Sequence, residues 1–148
     1  LIAEHRALAA AADKRFPSLE GHGERTASYA VATAQAMGIP ELRLAALRIA
    51  AALHYAWSEA GECPCCEPAG VALSRWELEG ASQAPDFVRG MRADWNMAPL
   101  ESSILLAACR FDLRQYGFDI EDAVYRVGVA EALASVAPLI TPLERADV

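Results

Sequence analysis

No run of ~18 or more uninterrupted apolar residues occurs in the chain, so no membrane span is indicated. No secretory leader is visible either, because residues 1–16 are charged and periodic. No stretch of useful length alternates apolar and polar residues, which argues against a sheet. Internal repeats are missing, and so is low complexity beyond a richness in alanine. Positive charge is short: 13 Lys and Arg stand against 20 Asp and Glu, a formal net charge of −7. A field of that sign repels nucleic acid and anionic membranes, so neither is expected as a partner. It also opposes a dianionic dinucleotide unless arginines gather locally. Cysteine is limited to Cys63, Cys65, Cys66 and Cys109. Three of the four crowd into one short segment, unlike a secreted disulfide scaffold, and a cytoplasmic location is expected. The chain opens on Leu1 without Met, which suggests a piece of something longer.

What is present is helix. The 148 residues fit one domain, and at 54% hydrophobic they can bury a substantial core. Residues 1–16 read as an amphipathic helix with Ile2, Leu8, Ala9, Ala12 and Phe16 near one face. It is either a packing helix or a linker from an upstream sensor domain, and residues 17–148 form the domain proper. Residues 17–21 connect it to a helix over about 21–37, apolar at Ala27, Ala30, Val31, Ala34 and Met37 and stopped by Gly38. A second helix opens at Pro40 and runs to 57, apolar at Leu42, Ala45, Ala46, Ile49, Ala50, Leu53 and Trp57. Residues 61–70 are a loop, 71–79 a helix or turn, and 80–90 irregular with a short helix over 86–91. Residues 99–116 form a strong helix stopped by Gly117. Asp119 is placed to cap a helix over 120–136 by accepting from its free first-turn amides, and Thr141 with Pro142 starts a last short one. The expected fold is therefore all-α, a single bundle of about six to seven helices.

Four segments carry a resemblance. His22-Gly-Glu-Arg25-Thr26 is similar to a His followed three and four residues later by Arg-Val. Leu53-His54-Tyr55-Ala56-Trp57-Ser58 is similar to Leu-His-Asp-Ile-Gly-Lys. Arg75-Trp76-Glu77, followed by Ser82 and Pro85, falls on a His-His-Glu segment that continues to Gly-Tyr-Pro. Residues 98–112, ending Ala108-Cys109-Arg110-Phe111-Asp112, resemble Ile-Pro-Leu-Glu-Ala-Arg-Ile-Leu-Ala-Val-Ala-Asp-Ala-Phe-Asp. Together they resemble the HD-GYP branch of the HD-domain phosphohydrolases, over residues 8–115 in family order. The resemblance implies an HD-like helical bundle. In active members it implies a cluster of two or three metals that generates hydroxide and clamps a phosphodiester.

The departures matter as much as the matches. Tyr55 stands where the motif has its Asp, Arg75 and Trp76 where it has two His, and Cys109 where it has a metal-ligating Asp. The chain between Tyr55 and Arg75 is also shorter than the family's, which removes the segment that carries another ligand His. A phenol with a reference pKa near ~10 is a poor substitute for a bridging carboxylate, and arginine is a poor ligand at ordinary pH. The expectation is a degenerate, non-catalytic signalling module with no cofactor. It would answer to an upstream sensor, a protein partner or a nucleotide ligand, in a cyclic-dinucleotide setting, and would dimerise through an apolar helix face.

The candidate site residues follow. His22, His54, Tyr55, Cys109 and Asp112 would form a remnant site, either as a packed cavity floor or with Asp112 or Cys109 as third ligand to a metal. Under the second reading the protein is a divergent phosphohydrolase using His22, His54 and Asp112 with zinc, iron or manganese. Cys63, Cys65 and Cys66, with His54 one turn before them, could bind zinc or sense oxidants. An incidental reduced loop is the plainer reading, and Glu62 and Glu67 beside it would blunt its reactivity. Arg75, Arg89, Arg92 and Arg110 could hold a phosphate-bearing ligand without cleaving it, or be solvated surface charge. Arg25 is expected to brace the helix pair through an acidic partner such as Glu20 or Glu24. Tyr55, Trp57, Trp76 and Trp95 read as core filling, with Tyr55 able to close the old cavity or stack on a ligand.

Overall fold

A computed structural model of the chain describes residues 3–54, 87, 99–120 and 125–140. Among them run five α-helices: α1 (Ala3–Arg15), α2 (His22–Ala36), α3 (Glu41–Leu53), α4 (Leu100–Gln115) and α5 (Val129–Val136). Two 3₁₀ turns, Pro17–Leu19 and Ala137–Leu139, complete the described secondary structure. The fold is all-α with no strand among the described residues. Among the described residues these five helices are slightly fewer than the six to seven expected of the whole chain.

Helix α2 is the centre of the bundle, packing against α3, α4 and α5, while α1 lies on α3. Its buried face is built from Ala27, Ala30, Val31 and Ala34, and those small side chains let neighbouring backbones come close. Alanines answer from the other side: Ala50, Ala51 and Ala52 on α3, and Ala107 and Ala108 on α4. Bulk comes from Tyr29, Leu47, Leu53, Ile104 and Leu105, all fully buried. The Tyr29 ring meets Phe111 edge-on, centroids 4.9 Å apart, and seats α2 against α4.

The helix ends follow from single residues. Gly38 and Gly117 adopt left-handed φ of 80° and 86°. Each closes its helix with the same pair of bonds. After α2, Gly38 N–H donates to Gln35 O and Ile39 N–H to Ala34 O; after α4, Gly117 N–H donates to Arg114 O and Phe118 N–H to Leu113 O. These bonds satisfy carbonyls that the helix itself leaves orphaned. Pro40 keeps an extended ψ of 149°, so α3 begins one residue later than its proline.

One helix departs from the expectation. Among the described residues of the helix expected over 120–136, those from Val129 onward are helical. Residues 118–120, 125 and 126 are not helical, and Gly128 at φ 91° forms the start of α5. Asp119 is therefore not followed by a helix at once. Of the short helix expected over 86–91, Phe87 alone is described, and it is helical and buried. The loop at 61–70, the segment 71–79 and the helix expected from Thr141 lie outside the described residues.

Candidate functional site

Three helices deliver a buried polar cluster to one point. His22 is the first residue of α2, entered through Gly21 at φ 77°. His54 caps the C-terminal end of α3. Cys109 and Asp112 sit three apart on α4, hence on one face of it. The two histidine rings meet edge-on with centroids 5.1 Å apart. His22, His54 and Cys109 each offer a ligand atom within 4.8 Å of the other two. All three side chains are shut away from solvent, with relative exposures of 1%, 0% and 0%.

Hydrogen bonds fix what each group presents. His22 Nδ1–H donates to Asp112 Oδ2 at 2.7 Å, with a longer contact to Thr26 Oγ1 at 3.3 Å. In the neutral imidazole that assignment leaves His22 Nε2 to accept from the Cys109 thiol, whose Sγ is 3.3 Å away. His54 Nδ1–H donates to Ala51 O at 2.6 Å, one of the orphan carbonyls at the end of α3. Burial pushes the His54 pKa down from 6.5 to about 3, with His22 beside it as the second cause. The Ala51 carbonyl and Asp112 pull it up again without offsetting the burial. His54 is thus a neutral imidazole whose Nδ1–H is engaged by Ala51 O.

Asp112 is held on its other oxygen by Arg25, whose Nε–H donates to Oδ1 at 2.8 Å. Arg25 Nη1 donates to the Glu20 backbone carbonyl at 3.0 Å, and its guanidinium lies 3.9 Å over the Tyr116 ring. The expected partner of Arg25 is corrected here. It braces α2 to α4 through Asp112, and Glu20 contributes a backbone oxygen, not a carboxylate. A local i, i±4 pairing rule favours near neighbours, and this contact spans 87 residues.

The other sequence candidates divide in two. Arg110 follows Cys109 on α4 and is half-buried. Its side chain leaves the helix about 100° around from that of Cys109. Tyr55, Cys63, Cys65, Cys66, Arg75, Arg89 and Arg92 lie outside the described residues, as do Trp57, Trp76 and Trp95. Two features went unnoticed in the sequence. Buried Glu101, in the first turn of α4, is ion-paired with Arg43 of α3. A depression of about 410 Å³, lined by Arg6, Glu24, Ala27, Ser28 and Arg48, lies beside α1 and α2. Glu24 and Ser28 are about 200° or more around α2 from His22, so this depression faces away from the cluster.

The cluster allows two chemistries. Cys109, His22 and Asp112 are strung in the order of a nucleophile, base and orienting acid. The Cys109 sulfur has no exposed surface, however, so in this conformation no substrate reaches it. The second chemistry is metal binding. The two- or three-metal cage that the resemblance implies does not fit. Hard cations bridged by acids need oxygen ligands. Both oxygens of Asp112 are already engaged by His22 and Arg25. What converges is two imidazoles and a thiol. No helix among the described residues is long and apolar enough to cross a membrane. Comparison with protein-family models, with curated proteins and with solved structures finds no match for this chain in any of the three.

Proposed function

We propose that this chain is a non-catalytic regulatory module built on an HD-like helical scaffold, one that binds a protein partner or a nucleotide and passes on a state. One observation carries the reading. Asp112, the acid retained from the family pattern, has one oxygen bound by His22 and the other by Arg25. Each oxygen already accepts a charge-assisted bond within the protein, and Cys109 occupies the neighbouring acidic position. A hydrolytic centre needs an open coordination position for water or substrate. Here the histidines and the thiol sit in a closed core.

The test is turnover. Purified protein loaded in turn with manganese, iron and zinc is offered an activated phosphodiester and cyclic dinucleotides. The expected result is hydrolysis no faster than the metal blank. Hydrolysis that disappears in His54→Ala would overturn the reading in favour of a divergent phosphohydrolase. Binding is read separately, as a thermal shift with cyclic dinucleotides and as a change in molecular mass with concentration for self-association.

A further inference from the structure

The mismatch between the implied metal cage and the side chains present has a positive side. Remove the demand for bridging acids, and the same point in the core offers a different donor set. We infer that His22, His54 and Cys109 form a mononuclear site for one thiophilic d10 cation, Zn(II) or Cu(I). Soft thiolate and borderline imidazole donors select those ions over manganese or magnesium.

Three observations converge on it. The ligand atoms come from three separate helices and lie within 4.8 Å of one another. A tetrahedral zinc site has ligand–ligand edges of about 3.5 Å, from bonds of about 2.0–2.3 Å, so small side-chain rotations close the gap. The histidines are already oriented as metal ligands are. A ligating imidazole almost always donates its other N–H to a carboxylate or a backbone carbonyl. His22 does the first, to Asp112, and His54 the second, to Ala51. The third observation is the sulfur itself, already 3.3 Å from His22 Nε2 in a core that excludes solvent.

On coordination the Cys109 thiol releases one proton to solvent, its thiolate binds the ion, and no oxidation state changes. Asp112 is a positioning residue in this scheme and does not touch the metal. Its charge is balanced by Arg25, so the cation and the thiolate must balance each other. Cu(I) with one thiolate is neutral. Zn(II) with one thiolate keeps a positive charge and calls for an anion in its fourth position. A shut site also implies that the ion is taken up as the bundle folds and leaves slowly to a chelator.

The experiment uses the full chain, stripped of metal under denaturant and refolded with Zn(II), Co(II) as its spectroscopic reporter, Cu(I) without oxygen, or Mn(II). One equivalent of cobalt is expected to give a thiolate-to-metal charge-transfer band. That band should persist in the combined Cys63→Ser, Cys65→Ser, Cys66→Ser variant and vanish in Cys109→Ser. Zinc affinity should fall more than about 100-fold in Cys109→Ser and about 10-fold in Asp112→Asn, whose effect is exerted through His22. Should Cys109→Ser fail to fold, X-ray absorption on the variant lacking the three loop cysteines reads the ligands directly. One sulfur with two imidazoles supports the site. Either zinc or copper winning a competition is compatible with it, and their order says which charge balance holds. A sulfur-free shell, a band that follows Cys63–Cys66, or manganese binding ahead of zinc overturns it. Phosphodiester turnover would end the non-catalytic reading and leave this site standing, whereas a metal-free core would end this site alone.

Discussion

Helix α4 carries a buried carboxylate near each end, and the two are handled differently. Glu101, in the first turn, is met by Arg43, a side chain 47% exposed that reaches in from α3. Asp112, three turns later, is met by Arg25, only 4% exposed, and by His22. The first pair keeps its cation in water and lets the alkyl stem do the covering. A first-turn position also suits an anion, because the free amides of the helix point toward it. The second pair is dry on both sides, and the hydrogen bonds of Asp112 to His22 and of Arg25 to Glu20 O, with the Tyr116 ring under the guanidinium, help compensate for the lost water. A closed ion pair of that kind is weak evidence of stability in itself, but breaking it strands a charge. The contrast separates an acid that holds the scaffold from one that orients a histidine.

The contrast can be broken most directly at Asp112. Asp112→Ala leaves Arg25 and His22 buried without their acceptor and is expected to cost about 3–5 kcal/mol in urea unfolding. A loss under about 1 kcal/mol would mean that water already reaches this end. Acid should find the same end. In chelator-treated protein His54 is neutral when folded, its pKa pushed to about 3, and ordinary at 6.5 when unfolded. Between those values the unfolded chain takes up a proton that the folded one refuses, so stability rises with pH across that window. The contribution is complete above about pH 6.5. Roughly 2 kcal/mol is lost between pH 7.5 and 5. The urea midpoint should therefore slope less steeply with pH in His54→Gln, and equal slopes would refute the neutral buried imidazole.

At the opposite end, Arg43→Ala should cost only about 1–2 kcal/mol, since water can fill the space the arginine leaves over Glu101. The smallest difference is in salt. Raising KCl to about 0.5 M should weaken the Arg43–Glu101 coupling by a few tenths of a kcal/mol in a double-mutant cycle and leave Arg25–Asp112 unmoved. Equal salt sensitivity would erase the distinction between the two ends.

Part of this was legible in the sequence. The alanine-lined periods of α2, α3 and α4, with Gly38, Pro40 and Gly117 as punctuation, place those helices to within about two residues, except at the C-terminal end of α3, expected at 57 and found at Leu53. Helix periodicity is a local signal and survives in a single chain. The last described helix was misjudged because Asp119 looks like a cap and Gly128 looks tolerable inside a helix. The left-handed φ of Gly128 is set by the turn, and composition does not show it. The cluster is legible only in part. His22, His54, Cys109 and Asp112 were singled out through a family pattern. The pairing of Arg25 with Asp112 lies outside any local rule, because it depends on which face α4 turns to α2. The donor tautomers are also invisible in sequence, since a backbone carbonyl, Ala51 O, settles one of them.

The late start of α5 has one more consequence. Eight residues are well below the roughly 12–15 that an isolated helix needs in water. Val129 and Leu133 are the side chains it buries, and α2 is the helix it packs against most. Its coil-to-helix equilibrium is therefore borrowed from its neighbour. Deuterium uptake at the α5 amides should follow the opening of α2 rather than local fraying, which makes this short segment an internal gauge of the whole bundle's integrity.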